Sequence, residues 1–107
     1  MQLKELIKVG RELFSNWKGT IVEDDNGVSI TNFNVIKGKR IKCQASICFT
    51  TNKKLPYCFN IEEKTCEILG GYGSPFSDFE EIKKTINDQM AKFGFKQQDQ
   101  ISLFNEW

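Results

Sequence analysis

A chain of 107 residues is long enough for one modest core and is expected to form a single α+β domain over residues 1–107. With 39% hydrophobic and 27% charged residues and no low-complexity tract, it does not have the composition of a disordered chain. It contains no histidine, which excludes Ser-His-Asp and Cys-His nucleophilic systems, histidine acid–base catalysis and histidine metal ligation.

The first element expected is a helix over residues 2–17. Leu3, Leu6, Ile7, Gly10, Leu13, Phe14 and Trp17 fall on an i, i+3, i+4, i+7 stripe, with Lys4, Glu5, Lys8, Arg11 and Glu12 on the other face. Gly10 on the buried side costs ~1 kcal/mol of helix propensity, which is tolerable if another backbone packs close. Gly19 supplies the stop. The interleaved charges of Met1–Lys8 rule out the apolar core of a secretory signal. No stretch approaches the ~20 apolar residues of a membrane span. A cytosolic location is therefore expected, and with it reduced thiols rather than disulfides.

A hairpin follows, with Thr20-Ile21-Val22 and Val28–Phe33 as strands. Asp25-Asn26-Gly27 reads as the turn, of type I′, because Asn-Gly accepts positive φ. Val28 and Ile30 alternate, but the phase shifts by Phe33 and Val35, so a bulge or twist is expected near Asn32–Asn34. Lys37-Gly38-Lys39 turns the chain into the clearest strand, Arg40–Thr50. There Ile41, Cys43, Ala45, Ile47 and Phe49 face inward, while Arg40, Lys42, Gln44, Ser46 and Cys48 face water. A short turn at Asn52–Lys54 leads to Leu55-Tyr57-Phe59-Ile61. Cys66 and Ile68 then return to the inner face as a fifth strand.

Gly70-Gly71-Tyr72-Gly73-Ser74-Pro75 reads as a turn that ends the sheet. A second helix begins near Ser74 or Ser77, where Ser77 and Glu80 have capping-box spacing and Pro75 suits a first helical position. Its stripe is Phe79, Ile82, Ile86, Met90 and Phe93, and Gly94 stops it. Ile101, Leu103, Phe104 and Trp107 suggest a last helical turn packed back on the domain. The expected architecture is α-β-β-β-β-β-α: a five-stranded antiparallel meander with an N-terminal and a C-terminal helix packed on one face.

Few residues have the pattern of a chemical site. Cys43, Cys48, Cys58 and Cys66 lack the CxxC spacing of a zinc knuckle, and strand parity divides them between two faces, so no metal site or cofactor is expected. Cys48 and Cys58 should lie opposite each other across a hairpin, where they are expected to stay two reduced thiols, with a redox-sensing disulfide as the alternative. The glycine-rich turn before the second helix lacks a Walker or Rossmann pattern, and Asp78, Glu80 and Glu81 would repel a phosphate there. Glu23-Asp24-Asp25, Glu62-Glu63 and Glu80-Glu81 are expected to be solvated carboxylates without the distinct environments that paired acid–base catalysis needs.

Charge supplies the clearest functional signal. The net charge of +1 conceals a stretch from Asn26 to Ile61 with no acid and six cations, Lys37, Lys39, Arg40, Lys42, Lys53 and Lys54. The remaining segments carry −1 (residues 1–25) and −4 (62–107). These six cations are the expected macromolecule-binding residues, with Arg40 and Lys42 on the wet face of the long strand and the other lysines at its two turns. The function expected is a non-enzymatic binding protein that docks on a larger protein or nucleoprotein with an acidic surface. Small inhibitors, immunity proteins and phage anti-defence (anti-CRISPR-like) proteins work in this way. Trp107 or Tyr72 would be an aromatic anchor, and the Lys, Asn and Ile usage has the look of an AT-rich bacterial or phage gene. The alternative is nucleic-acid binding by the same face, which the inward placement of Phe49, Tyr57 and Phe59 weakens because no aromatic is left for base stacking. A homodimer through a sheet edge is a further option for a partner.

Overall fold

A computed structural model of the chain describes residues 2–64 and 68–98. The expected inward placement of Cys66 and the expected helical turn over 101–107, with Trp107, lie outside the described residues. The element order is α1 (Leu3–Phe14), β1 (Thr20–Glu23), β2 (Gly27–Ile36), β3 (Lys39–Phe49), β4 (Tyr57–Glu63), β5 (Gly71–Phe76) and α2 (Phe79–Lys92). The strands form one open antiparallel sheet in the order β1-β2-β3-β4-β5. The α+β meander read from the sequence is therefore the fold.

Helix α1 buries Leu6, Gly10 and Phe14, one residue per turn on a single face. It lies on β2. A methyl group at Gly10 would collide with Cγ1 of Val28 and come within 3.8 Å of Ile47 Cδ1, so it is a side chain, not a backbone, that needs the glycine. The helix ends at Phe14, a turn short of Trp17. The chain after it takes a non-local partner instead: Lys18 N–H donates to Lys96 O, and Gln98 N–H to Asn16 O. Gln98 Nε2 also donates to Trp17 O at 2.8 Å. This anchors Trp17 in the core at 3% exposure.

Two turn assignments exchange character. At the β1–β2 turn Asn26 does not adopt positive φ. The Asp24 carboxylate organises that turn instead, accepting from the N–H groups of Asn26 and Gly27. The type I′ geometry occurs at the β2–β3 turn, where Lys37 has φ 53° and Gly38 φ 77°.

No bulge interrupts β2. Its register with β3 runs without a break from Gly27↔Cys48 to Ile36↔Lys39. Val28, Ile30, Asn32, Asn34 and Ile36 therefore share the core face, and Phe33 and Val35 point to the other side. The reason is Asn34. Its Nδ2 donates to Phe93 O and Gly94 O at the end of α2, so a polar side chain on the core face closes carbonyls that the helix leaves without partners.

The fifth strand also differs from the expectation. Residues 71–76, read as a turn, pair with β4 from Tyr57↔Phe76 to Glu62↔Gly71, whereas Ile68 lies in the connection. Glu63 sets this arrangement. Its side chain is fully buried, not solvated as the sequence suggested, and its Oε1 accepts from the N–H groups of Ile68 and Leu69. Pro75 fits β5 because the ladder turns its nitrogen toward the outer edge, where no donor is required. Helix α2 is capped by Asp78, whose carboxylate accepts from Glu80 N–H at 2.9 Å, rather than by Ser77. Ile82, Ile86 and Met90 bury its stripe, and Gly94 at φ 83° ends it.

Both helices cover the same side of the sheet. Their apolar stripes join Ile30, Ala45, Ile47, Phe59 and Ile61 in one core cluster. Among the described residues no helix covers the other side of the sheet.

Candidate functional site

The uncovered face is built by parity. On β3 the outward residues are Arg40, Lys42, Gln44, Ser46 and Cys48, as the sequence indicates. Their neighbours on β2 are Val35, Phe33, Thr31, Ser29 and Gly27. Those on β4 are Glu62 beside Gln44, Asn60 beside Ser46 and Cys58 beside Cys48. The face thus changes along its length, from cationic and apolar at the β2–β3 hairpin to small and polar at the other end.

The six predicted cations do not form one patch. Lys37 and Lys39 sit at the hairpin tip, with Arg40 and Lys42 just behind it on the open face. Lys53 and Lys54 lie in the β3–β4 connection, at the far end of an eleven-residue strand that spans roughly 33 Å at ~3.3 Å per residue. That separation is several Debye lengths of ~8 Å at physiological salt, so the two groups act independently. The connection is wider than the Asn52–Lys54 turn expected. It runs from Thr50 to Pro56, with Thr50 Oγ1 donating to Leu55 O and Asn52 Oδ1 accepting from Lys54 and Leu55 N–H. The acidic β1–β2 turn lies beside it, through the Phe49 N–H bond to Asn26 O. The segregated positive field is therefore concentrated at the β2–β3 tip, where Lys64 also arrives through its N–H bond to Lys42 O. Lys64 is itself partly balanced by Glu62 at 3.4 Å.

Sequence reasoning missed Phe33 and Val35. They are 51% and 75% exposed and stand among these cations. The Arg40 guanidinium lies over the Phe33 ring, 4.4 Å from its centroid, a cation–π contact worth ~0.5–1 kcal/mol at an exposed site. Strict period-two counting from Val28 and Ile30 places both residues outward. A bulge would hide two large apolar side chains that the molecule in fact displays. Phe49, Tyr57 and Phe59 do lie on the inner side, where Tyr57 packs with Phe49, Phe76 and Phe79. Tyr72, the other anchor suggested by the sequence, also has inward parity and packs near Phe59.

The described thiols fall as parity requires. Cys43 is buried, and Cys48 and Cys58 pair across β3 and β4 as free thiols. The Thr50 N–H bond to Pro56 O fixes the ladder phase, so Cys48 and Cys58 occupy a hydrogen-bonded pair. In such pairs the side chains stand farther apart than the ~3.8 Å Cβ separation of a disulfide. Burial, then the neighbouring Cys58 and Asp24, push the Cys48 thiol up, which disfavours the nucleophilic thiolate. A depression of about 240 Å³ beside it is lined by Asp24, Ser29, Ser46 and Cys48 among others, but the Asp24 carboxylate is committed to its turn. Among the described residues no group of three or more Cys, Asp or Glu side chains can hold a metal ion, and no helix is long and apolar enough to cross a membrane.

No family model matches the chain, and no curated protein or solved structure shows significant similarity to it.

Proposed function

We propose that this chain is a non-enzymatic binding protein of the cytosol that docks on a larger protein or nucleoprotein with an acidic surface, as inhibitors, immunity proteins and phage anti-defence proteins do. The observation that carries the reading is the pairing of two exposed apolar residues, Phe33 and Val35, with Lys37, Lys39, Arg40 and Lys42 at one end of an uncovered sheet. An apolar centre ringed by one sign of charge supplies contact area and electrostatic steering together. The turn adds support. Lys37 is held at φ 53°, where asparagine or glycine is more comfortable and a lysine costs of order 1 kcal/mol. A cation kept at that cost has a use at the tip. The absence of histidine and the raised Cys48 thiol support a role without catalysis.

The test is capture of partner from the native host by the tagged protein. Arg40→Glu with Lys42→Glu should abolish capture at physiological salt while circular dichroism stays native. Lys53→Glu with Lys54→Glu should leave capture nearly intact. Equal recovery of the partner by all three proteins would end the reading.

Nucleic-acid binding remains the second reading, and Phe33 favours it, since the open face does carry one aromatic ring. Gel shifts with single- and double-stranded DNA and RNA at low salt check it. A shift that weakens steeply with salt and disappears in Phe33→Ala supports it, and no shift removes it.

A further inference from the structure

The ladder leaves part of β2 without a strand neighbour among the described residues. The Phe49 N–H bond to Asn26 O sets the β2–β3 phase, and the Asp24 N–H bond to Gly27 O sets the β1–β2 phase. Even-numbered residues of β2 therefore bond to β3, and odd-numbered residues direct their N–H and C=O groups toward β1. But β1 is only four residues long, and its pairing ends at Thr20↔Thr31. Phe33 and Val35 thus present two donors and two acceptors to an edge where no described residue bonds them.

The remaining edges are protected. β5 carries Pro75 on its outer side, and β1 is short, with its Glu23 tied to Arg11 at 2.6 Å. Among the described residues, the Asn32–Ile36 segment has none of the usual devices. It holds no proline, no charge and no bulge, and its two outward side chains are apolar and exposed. This is the reverse of the way natural sheets blunt an edge.

We infer that the outer edge of β2 at Phe33–Val35 is a strand-acceptor site that takes an extended, acidic segment of a partner protein as a sixth strand. The inference rests on the docking reading and specifies how docking occurs. Backbone bonds to Phe33 and Val35 supply part of the affinity, and the partner's alternate side chains lie beside the two apolar groups on the open face. Charge selects the occupant. Lys37, Lys39, Arg40 and Lys42 lie along and behind the edge, so an acidic strand is complementary, whereas a second copy of this chain would bring the same cations against one another. Single-stranded nucleic acid fits less well. It would find one aromatic ring, already covered on one face by Arg40, and would leave the amide and carbonyl groups of the edge without strand partners.

The probe is a set of octapeptides alternating glutamate with valine, isoleucine or threonine, added to the ¹⁵N-labelled full chain and followed by amide hydrogen exchange. In the free protein Phe33 and Val35 should exchange fast, and Asn32, Asn34 and Ile36 slowly. The peptides should slow exchange at Phe33 and Val35 by about tenfold. Val35→Pro, which deletes an edge N–H that the sheet does not use, should weaken binding about fivefold or more, in line with loss of one hydrogen bond plus a steric block. Val35→Lys retains that N–H and the fold but removes the apolar contact, and should weaken binding as well. Slow exchange at Phe33 and Val35 in the free chain overturns the inference. So does peptide binding without their protection, or protection produced instead by oligothymidine or by self-association at high protein concentration. If Val35→Pro retains a partner that the Arg40 and Lys42 reversal loses, the strand-acceptor inference fails while the docking reading stands. If the charge reversal has no effect and Val35→Pro still releases the peptide, docking by charge fails and the edge remains.

Discussion

Replacing Gly10 with alanine tests whether helix propensity or packing governs the α1–β2 contact. Propensity alone predicts a gain of ~1 kcal/mol, because glycine is the poorest ordinary residue in a helix interior. The structure predicts a loss. The new methyl would occupy the space of Val28 Cγ1, and Val28 is 2% exposed with Ile47 behind the same point, so neither side chain has solvent to move into. Overpacking of this kind costs ~1–3 kcal/mol, which leaves a net destabilisation of about 1 kcal/mol. Val28→Ala alone deletes two buried methyl groups and should cost ~2 kcal/mol, from ~0.8 kcal/mol per group plus a cavity contribution. In the double variant the alanine methyl fills part of the void left by the valine. The two changes should then be less costly together than their sum by about 1 kcal/mol, beyond the ~0.3–0.5 kcal/mol expected of independent sites. Urea unfolding followed by tryptophan fluorescence on the four proteins measures every leg of this cycle. A stabilised Gly10→Ala, or additive effects, would refute the argument.

Asn34→Ala should cost ~1–2 kcal/mol by leaving the Phe93 and Gly94 carbonyls without their donor. Asn34→Asp should be worse at neutral pH, since a carboxylate cannot donate and faces the negative end of α2, and the deficit should shrink as pH falls through the raised folded value of the new carboxyl, to vanish near its ordinary value of about 4. Lys37→Asn should raise stability by several tenths of a kcal/mol in thermal melts, by relieving a lysine at φ 53°. Burial first, then Glu63 at Cys43 and Cys58 with Asp24 at Cys48, raises both thiols above their ordinary value of 9.0. The folded state therefore keeps protons that the unfolded chain releases. Stability should be complete below pH 9 and fall as pH rises through the elevated folded values, with a shallower fall in a Cys43→Ala, Cys48→Ala variant. Iodoacetamide should alkylate Cys48 more slowly than free cysteine at neutral pH, and a faster rate would contradict the raised thiol.

Where a residue's own neighbours in sequence decide its place, the sequence was sufficient. The stripes of α1 and α2, the alternation of β3, the stop at Gly94 and the opposition of Cys48 to Cys58 all depend on short-range period and turn chemistry, and they are legible one segment at a time. The long acid-free stretch likewise places its cations on two hairpins. What remained hidden depended on contacts distant in sequence. Trp17 left its helix for residues 96–98. Glu63 entered the core because its carboxylate holds the backbone of Ile68 and Leu69. Asn34 occupies the inner face that period two gives it, but the group that satisfies it there, the end of α2 some sixty residues later, is not legible in its own segment. The division of the six cations into two groups roughly 33 Å apart was equally invisible, because eleven residues of extended strand separate what the chain presents as one basic segment. Sequence alone determined the alternation of β3 and the opposition of Cys48 to Cys58. Only the tertiary structure decided that residues 71–76 form the fifth strand, which polar groups satisfy one another across the sheet, and where backbone groups of β2 are left without a partner among the described residues.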